Sequence, residues 1–377
     1  MARKEKPVKI IRYKTNRRGN RVKNDRIYKI LALIGAAAAI VAVGFLRTKF
    51  VLNRVENNKN KPNSAPAGAV ESTVWDTSSE TPVSEIVRSS SDGGDPSQAV
   101  VAKARVYYYS AASKLTGEAG IDAEIGKAKA LGANCLVFDA KDSNGNILYN
   151  SENQYGRQLK ADAVIDIELL VKKCAENGIA PAARIYAFED SLISNIERST
   201  AVMYVGTDTR WLDSSAALGG KPWANPASEI MQTYIKDLTD ELLSKGIKEF
   251  IFAGFSTPTG YSLDKRDFGA SEDRVLAAMK SLIKTLKAKI SAKGGYSAWQ
   301  IEYSAVDSNG SYAQYLVHPY RLGAENIIVT AESGTDVSQA AAYLNRTKPE
   351  EIISLTLWVN GADNTAAKTT LDNYFVN

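Results

Sequence analysis

The stretch Asn134-Cys-Leu-Val-Phe-Asp-Ala-Lys-Asp-Ser-Asn-Gly145 decides how the rest of the chain is interpreted. Its four apolar residues are followed by Asp139, Lys141 and Asp142 and then by a Ser-Asn-Gly turn. A short apolar run bounded by turn residues is typical of a buried parallel strand. Charged residues directly after such a strand lie where α/β barrels and open α/β sheets place their sites.

On both sides of this stretch a unit recurs in which a helical pattern ends in Gly and an apolar strand follows. The glycines are Gly132, Gly178 and Gly246, and Gly just past a helix is the usual left-handed stop. Helices that alternate with strands in this way predict parallel βαβ units. Seven strands can be placed: Val106–Ser110, Leu136–Asp139, Ala182–Phe188, Phe250–Phe255, Trp299–Ser304, Ile327–Ala331 and Ile353–Val359.

Two α/β architectures fit such an alternation. An open doubly wound sheet would show a Gly-rich phosphate loop after its first strand, whereas Tyr108-Tyr-Ser-Ala-Ala112 continues the first strand here. Residues 104–377 supply 274 residues, and a (β/α)₈ barrel needs about 250. We therefore predict an α/β fold with a (β/α)₈ TIM-barrel-like domain at residues 104–377, in which an eighth strand is incomplete or irregular.

The N-terminal part of the chain has a different composition. Residues 1–26 carry eleven Lys and Arg against two acidic residues, a net charge of +9; the whole chain is +5, so the remainder carries −4. Ile30 to Leu46 is a run of seventeen uncharged residues, and a membrane span needs about 20, with Lys29 able to reach the interface. A cleaved signal peptide is the alternative interpretation, but the long basic arm favours an uncleaved anchor.

These features predict a single-pass protein of the cell membrane. Residues 1–26 form a basic cytoplasmic arm, 27–46 a transmembrane helix and 47–103 a flexible extracytoplasmic linker, since this last segment is too polar to bury a core. The positive-inside rule places the N-terminus in the cytoplasm and the barrel outside the membrane. The basic arm adjoins an apolar run, so we predict the membrane as its partner and no nucleic acid.

Residues that could carry chemistry follow the predicted strands, as the sites of a barrel do. As catalytic candidates we take Asp139, Asp142, Glu189 and Glu302. As substrate-binding candidates we take Lys141, Arg184, Asp190, Trp211, Trp223, Asn225 and Trp358. Several acids around one rim suit glycoside cleavage, and indole rings can stack on sugars. A loop Asp can equally be a helix cap and a loop Trp a packing residue.

No cofactor or metal is predicted. His318, the one histidine of the sequence, has no His or Cys partner nearby, which argues against a zinc site or a Ser-His-Asp triad. Lys141 lies between Asp139 and Asp142 and argues against a tight cation site there. The two cysteines, Cys135 and Cys174, are predicted to be buried core residues, with a disulfide as the alternative.

From about Arg105 to Ser262 the chain resembles the glycoside-hydrolase-like TIM-barrel domains of bacteria, which are commonly extracytoplasmic and often membrane-anchored. The resemblance implies the barrel fold and a polysaccharide or peptidoglycan ligand. Four segments carry it: Val106-Tyr-Tyr-Tyr-Ser110, Leu136-Val-Phe-Asp-Ala-Lys-Asp142 with Gly145, Ala183-Arg-Ile185 with Phe188-Glu-Asp190, and Trp211 with Trp223-Ala-Asn-Pro226.

A fifth segment departs from the family pattern. The fourth strand of such domains ends in Phe-Asp-Tyr-x-Arg-Phe-Pro, and here the run is Phe252-Ala-Gly-Phe-Ser-Thr-Pro258, with Ala253 in place of the Asp and Ser256 in place of the Arg. The resemblance implies that this Asp is a nucleophile or key acid, and a carboxylate pair that loses one member has neither the retaining nor the inverting route.

We therefore predict a membrane-anchored barrel that binds cell-wall or surface polysaccharide with lost or reduced catalysis. One alternative is an active glycoside hydrolase that uses relocated carboxylates. A second is a structural or assembly protein that binds a protein partner at the cell envelope.

Overall fold

The computed structural model describes residues 104–307 and 310–376. The predicted arm, transmembrane helix and linker, residues 1–103, lie outside the described residues. Among residues 104–307 and 310–376, no helix is long and apolar enough to cross a membrane.

The described residues form a closed barrel of eight parallel strands. These are β1 Val106–Tyr109, β2 Cys135–Lys141, β3 Ala180–Tyr186, β4 Glu249–Ala253, β5 Tyr296–Glu302, β6 Asn326–Ala331, β7 Ser354–Val359 and β8 Asn373–Val376. Each strand pairs with the next in sequence, and β1 pairs with both β2 and β8, which closes the ring. The predicted barrel is confirmed, and its eighth strand, which the sequence pattern did not locate, is the four-residue β8.

Five longer helices surround the barrel: α1 Gly117–Ala130, α2 Ile167–Glu176, α3 Glu229–Ser244, α4 Glu272–Ser291 and α5 Val337–Thr347. Four of them are preceded by a capping residue whose side chain accepts a hydrogen bond from a backbone N–H of the first turn. These residues are Asp166, Ser228, Ser271 and Asp336. The predicted Gly stops are confirmed, since Gly132, Gly178 and Gly246 all have positive φ.

The remaining elements are short and lie in the connections. The α-helical turns are Gln154–Gln158 and Ser191–Ile196, and the strands are Ile147–Tyr149, Lys160–Ile165, Met203–Tyr204 and Arg266–Asp267. The 3₁₀ turns are Ala112–Lys114, Arg198–Thr200, Ala216–Leu218, Leu263–Lys265, Tyr303–Ala305, Ala313–Tyr315, Pro319–Arg321 and Asn364–Thr369. The β5–β6 connection holds only 3₁₀ turns in its described residues, and so does the β7–β8 connection.

The barrel interior is filled by side chains. One cluster of buried interior residues contains Tyr107, Ile251, Ile328 and Phe375 and is separate from the larger core between barrel and helices. Cys135 belongs to the interior and Cys174 to the outer core; both are buried and neither forms a disulfide. The interior is therefore solid in its middle, and a ligand can enter only at an end.

A β-bulge near the end of β2 changes where its side chains point. Asp139 lies opposite Arg184 of β3, and Lys141 lies opposite the very next residue, Ile185, so two steps on β2 match one on β3. Ile185 belongs to the outer core. The bulge therefore takes Lys141 out of the two-residue alternation that would place it beside Asp139 in the interior.

Candidate functional site

The carboxyl ends of the strands carry the candidate site, and its floor is an ion pair. Arg184 Nε lies 2.5 Å from Asp139 Oδ1, and Arg184 Nη2 lies 3.1 Å from Asp139 Oδ2. The hydroxyl of Tyr109 donates to the same Oδ2 at 2.8 Å. The two side chains are only 7% and 12% exposed. Such a bidentate, charge-assisted pair has a fixed geometry, so Asp139 and Arg184, both predicted site residues, act as one unit.

Aromatic rings enclose the guanidinium of Arg184. Its Cζ atom lies 4.7 Å from the ring centroid of Tyr109, 5.2 Å from that of Tyr186 and 5.0 Å from that of Trp358. Burial works against the charge, but the carboxylate of Asp139 outweighs it, and the pKa of Arg184 is raised. The predicted residue Trp358 is 8% exposed and stacks on Phe375, so most of its ring belongs to the floor.

Glu189 follows β3 and is half-buried at the rim. Burial raises the pKa of its carboxyl group; the charges of Glu302 and Asp213 raise it further, and those of Lys141 and Lys221 oppose the rise. No hydrogen bond from another described residue reaches this carboxylate. Glu302, at the end of β5, is exposed and accepts from Gln314 at 3.2 Å. The structure thus brings two of the predicted carboxylates within electrostatic reach of each other.

A small polar cavity of about 150 Å³ lies beside Glu189. Trp223 lines it and donates from Nε1 to Asp213 Oδ2 at 3.3 Å, while the Asp213 carboxylate also accepts from the Lys221 backbone N–H at 2.8 Å. We call the carboxyl ends of the barrel strands and the loops that follow them the mouth. On its other side a second cavity of about 410 Å³ is bordered by Glu302, Asp307, Thr330, Glu332 and Asn360. The mouth therefore offers a row of polar groups with aromatic surface between them, which suits a polyhydroxylated ligand.

The structure places Lys141 and Asp190, both predicted to bind substrate, in an ion pair with each other. Both side chains are wholly buried, and Lys141 Nζ lies 2.9 Å from Asp190 Oδ2. Lys141 Nζ also donates to the backbone oxygen of Tyr186 at 2.5 Å, and Asp190 Oδ1 caps the helical turn Ser191–Ile196. A Cβ on Gly145 would lie 2.0 Å from Asp190 Oδ1, which explains the glycine of the opening stretch. The pair holds the segment that carries Glu189.

Asp142 forms a turn and does not face the mouth with free oxygens. Its Oδ1 accepts from the backbone N–H groups of Asn144, Gly145 and Asn146, and its Oδ2 accepts from the Asn146 side chain. This is the turn-forming use of an Asp that the sequence left open. As a catalytic residue Asp142 is therefore disfavoured, because all its charge is engaged in holding the turn.

Trp211 and Asn225, predicted to bind substrate, instead join two loops. Trp211 is wholly buried and donates from Nε1 to the backbone oxygen of Ser262 at 3.0 Å. Asn225 is 8% exposed and donates to the backbone oxygen of Phe268 at 2.9 Å. Both bonds connect the β3–α3 loop to the β4–α4 loop, as does the antiparallel pairing of Met203–Tyr204 with Arg266–Asp267.

Sequence reasoning missed Tyr109, Tyr186 and Gln300. Tyr186 lies two residues after Arg184, and Gln300 two residues before Glu302, so the alternation of a strand would have placed them on the same face. Gln300 Oε1 lies 3.5 Å from Arg184 Nη1. Among the described residues, no group of three or more His, Cys, Asp or Glu side chains could hold a metal ion.

The barrel and its polar mouth define a glycoside-hydrolase-like (β/α)₈ protein. Residues 107–307 match the family model described as "putative glycosyl hydrolase domain", and the chain belongs to that family. A comparison with curated proteins finds no match.

Several solved structures are similar to this chain. The glycoside hydrolase domain of PgaB (BpsB) from Bordetella bronchiseptica is similar at a TM-score of 0.52 and 10% identity, over 73% of this chain and 94% of that one. A hypothetical protein from Ruminiclostridium thermocellum is 19% identical over 51% and 96% of the two chains, at a TM-score of 0.42. A chitobiase from Flavobacterium johnsoniae is 12% identical over 72% and 44%, at 0.47; this chain spans less than half of it.

Proposed function

We propose that this protein is a membrane-anchored, extracytoplasmic barrel that binds a cell-wall or surface polysaccharide and has lost or reduced catalysis. The observation that carries the proposal is the end of β4. Ala253, which stands where the resemblance implies an acid, lies opposite Tyr186 of the mouth and is wholly buried. Asp139, the predicted catalytic acid on the floor of the mouth, has both oxygens engaged by Arg184 and Tyr109. A mouth that keeps its polar and aromatic lining while the β4 acid is missing and Asp139 is engaged is suited to binding.

The proposed location rests on the sequence. Residues 27–46 would anchor the protein, with the basic residues 1–26 in the cytoplasm and residues 47–103 as a tether to the barrel outside. The partners of the protein would then be the membrane and the glycan, with no cofactor.

The test of binding is co-sedimentation of a soluble fragment that begins near Gln98 with peptidoglycan and with a panel of bacterial polysaccharides. We expect Trp223→Ala to reduce binding about two- to tenfold, because a stacked aromatic ring is worth roughly 0.5–1.5 kcal/mol beyond its buried area. Trp223→Phe, which keeps a flat ring, should retain most of it. Trp211→Phe is the matched control, since its ring lies outside the cavity. Unchanged binding by Trp223→Ala would refute this use of the mouth.

A second candidate function is hydrolysis with relocated carboxylates, and the raised pKa of Glu189 beside Glu302 favours it. A general acid needs a carboxyl group that keeps its proton near neutral pH. In this case new reducing ends appear during the same incubation, their rate falls as pH rises through the pKa of Glu189, and Glu189→Gln lowers it by 10² or more. Asp139→Asn is expected to abolish the rate as well. Binding without reducing ends in the unmodified protein would eliminate this candidate.

A further inference from the structure

The ring of helices is tied together by lysine–carboxylate pairs that follow a rule. Lys173 of α2 pairs with Glu118 and Asp122 of α1. Lys245, at the end of α3, pairs with Glu168 of α2. Continuing the series, Lys289 of α4 pairs with Asp240 of α3. In each case a lysine reaches back to a carboxylate of the preceding helix.

The series stops on the far side of α4. The next connection, β5–β6, contains 3₁₀ turns and no α-helix in residues 303–307 and 310–325. Lys280 and Lys284 of α4 are exposed towards this gap, and so is Arg321; none of the three has an ion-pair partner among the described residues. A cavity of about 530 Å³ lies between them, and its lining includes Lys287 but no acidic residue. Lys287 itself is paired with Glu325.

This basic cavity continues into a larger one. Arg321 and Gly323 border both it and a neighbouring cavity of about 1010 Å³. The larger cavity is lined by the rings of Tyr312, His318, Tyr320 and Tyr343. Tyr312 is 44% exposed. The phenol oxygen of Tyr320 is buried without a hydrogen-bond partner among the described residues. We call the two connected cavities the flank cleft; the carboxylates at its edge are Glu325 and Glu351.

We propose that the flank cleft is a second carbohydrate site, outside the barrel mouth, that binds an acidic polysaccharide. Aromatic faces at one end can stack on pyranose rings, and the unpaired Lys280, Lys284 and Arg321 at the other can pair with carboxylate, phosphate or sulfate groups. Lys280 and Lys284 stand one helical turn apart, about 6 Å along the axis, so they can meet successive charges of an extended chain. A bilayer is flat, whereas the flank cleft consists of two adjoining cavities that a polymer chain can enter.

The site can be tested in the full chain by lysine acetylation and mass spectrometry, which reports each lysine separately from the basic residues 1–26. With alginate at about three times its Kd, three quarters of the sites are occupied, so acetylation of Lys280 and Lys284 should fall roughly fourfold. Lys114 and Lys172, exposed lysines on other elements, are the internal controls and should not change. Dextran, which is neutral, should protect none of them. Equal protection of all four lysines, or none, would overturn the proposal.

Two variants separate a saccharide cleft from a plain cationic surface. Lys284→Glu should raise the Kd for alginate, measured from the protection of Lys280, by roughly tenfold, since the substitution removes one contact and reverses its charge. Lys172→Glu should leave this Kd unchanged. Tyr312→Ala should weaken protection by alginate but leave protection by polyphosphate, which has no ring to stack. If Tyr312→Ala weakened neither polymer, or if phosphatidylglycerol vesicles protected Lys280 and alginate did not, the assignment to a polysaccharide would be wrong. Trp223→Ala should leave this footprint unchanged, so a failure of the mouth as a glycan site is distinguishable from a failure of this one.

Discussion

An arginine–carboxylate pair lies at each end of the barrel. At the amino end, Arg105 Nε lies 2.9 Å from Glu249 Oε2, and the Arg105 guanidinium is 3.4 Å from the ring centroid of Tyr296. At the carboxyl end, Arg184 pairs with Asp139 among three aromatic rings. The side chains of the amino-end pair are 26% and 18% exposed, against 7% and 12% at the other end.

The two ends use the same chemical unit for different purposes. The amino-end pair closes the barrel beneath its solid middle. Residues at this end of a (β/α)₈ barrel usually contribute to stability and seldom to a functional site. The carboxyl-end pair lies beneath long loops and forms the floor of the mouth. The comparison shows that an arginine–carboxylate pair does not by itself identify a site. The long loops above the carboxyl-end pair are what identify it.

The largest loss of stability should come from neither arginine but from Lys141. Lys141→Met would leave the buried Asp190 carboxylate without its cation, and breaking a buried pair costs about 3–5 kcal/mol. The free energy of unfolding in urea measures it. Lys265→Met is the control, because Lys265 and its partner Asp264 are 63% and 73% exposed and a surface pair contributes about 0–1 kcal/mol. If Lys141→Met lost no more than about 1 kcal/mol, the value of a surface pair, water would have to reach Asp190.

The next largest effect should distinguish the two ends directly. Arg184→Met strands the Asp139 carboxylate with only the Tyr109 hydroxyl as partner, and we expect a loss of about 2–4 kcal/mol; Arg105→Met, at a more exposed pair, should lose about 1–2 kcal/mol. Urea unfolding of both variants checks the order. Only Arg184→Met should also reduce glycan binding. Equal losses of stability and of glycan binding in the two variants would show that the amino-end and carboxyl-end pairs do not differ in role.

The smallest effect should be a pH dependence at the mouth. Burial raises the pKa of Glu189 from its ordinary 4.5, so its contribution to stability is full below about pH 4.5 and is lost as pH rises through the raised pKa. Glu189→Gln has no such group. The unfolding free energy of Glu189→Gln relative to the unmodified protein should therefore increase with pH over that window and then level off. A flat difference for Glu189→Gln would show that its carboxylate is solvated.

Much of the fold could be predicted because local patterns repeat. Seven strands followed from apolar runs, three of them after Gly-terminated helical patterns, and each of these strands lies in the barrel. The eighth, Asn373–Val376, is four residues long and follows the 3₁₀ turn Asn364–Thr369. Neither a Gly stop nor a helical pattern precedes it, so it is recognised only by its pairing with β7 and β1.

The site was predicted less completely, because sequence gives order along the chain and not contact. Asp139 and Arg184 were both identified, but not that they bind each other. Trp211 and Trp223 looked alike, yet one is a buried link between loops and the other lines a cavity. Hydrogen-bond partners far along the chain, such as Ser262 for Trp211, decide between these roles.

The sequence by itself determined the alternation of helices and strands and the concentration of charge at the end of β2, since both depend on residue type and short-range spacing. It also determined that Ala253 carries no carboxylate. The tertiary structure alone decided the bulge that turns Lys141 from the interior to Asp190, the closure of the ring by β8 and the gap beside α4 that leaves Lys280 unpaired. The physical reason is that each of these depends on which distant strand or helix lies alongside, and no local spacing encodes that neighbour.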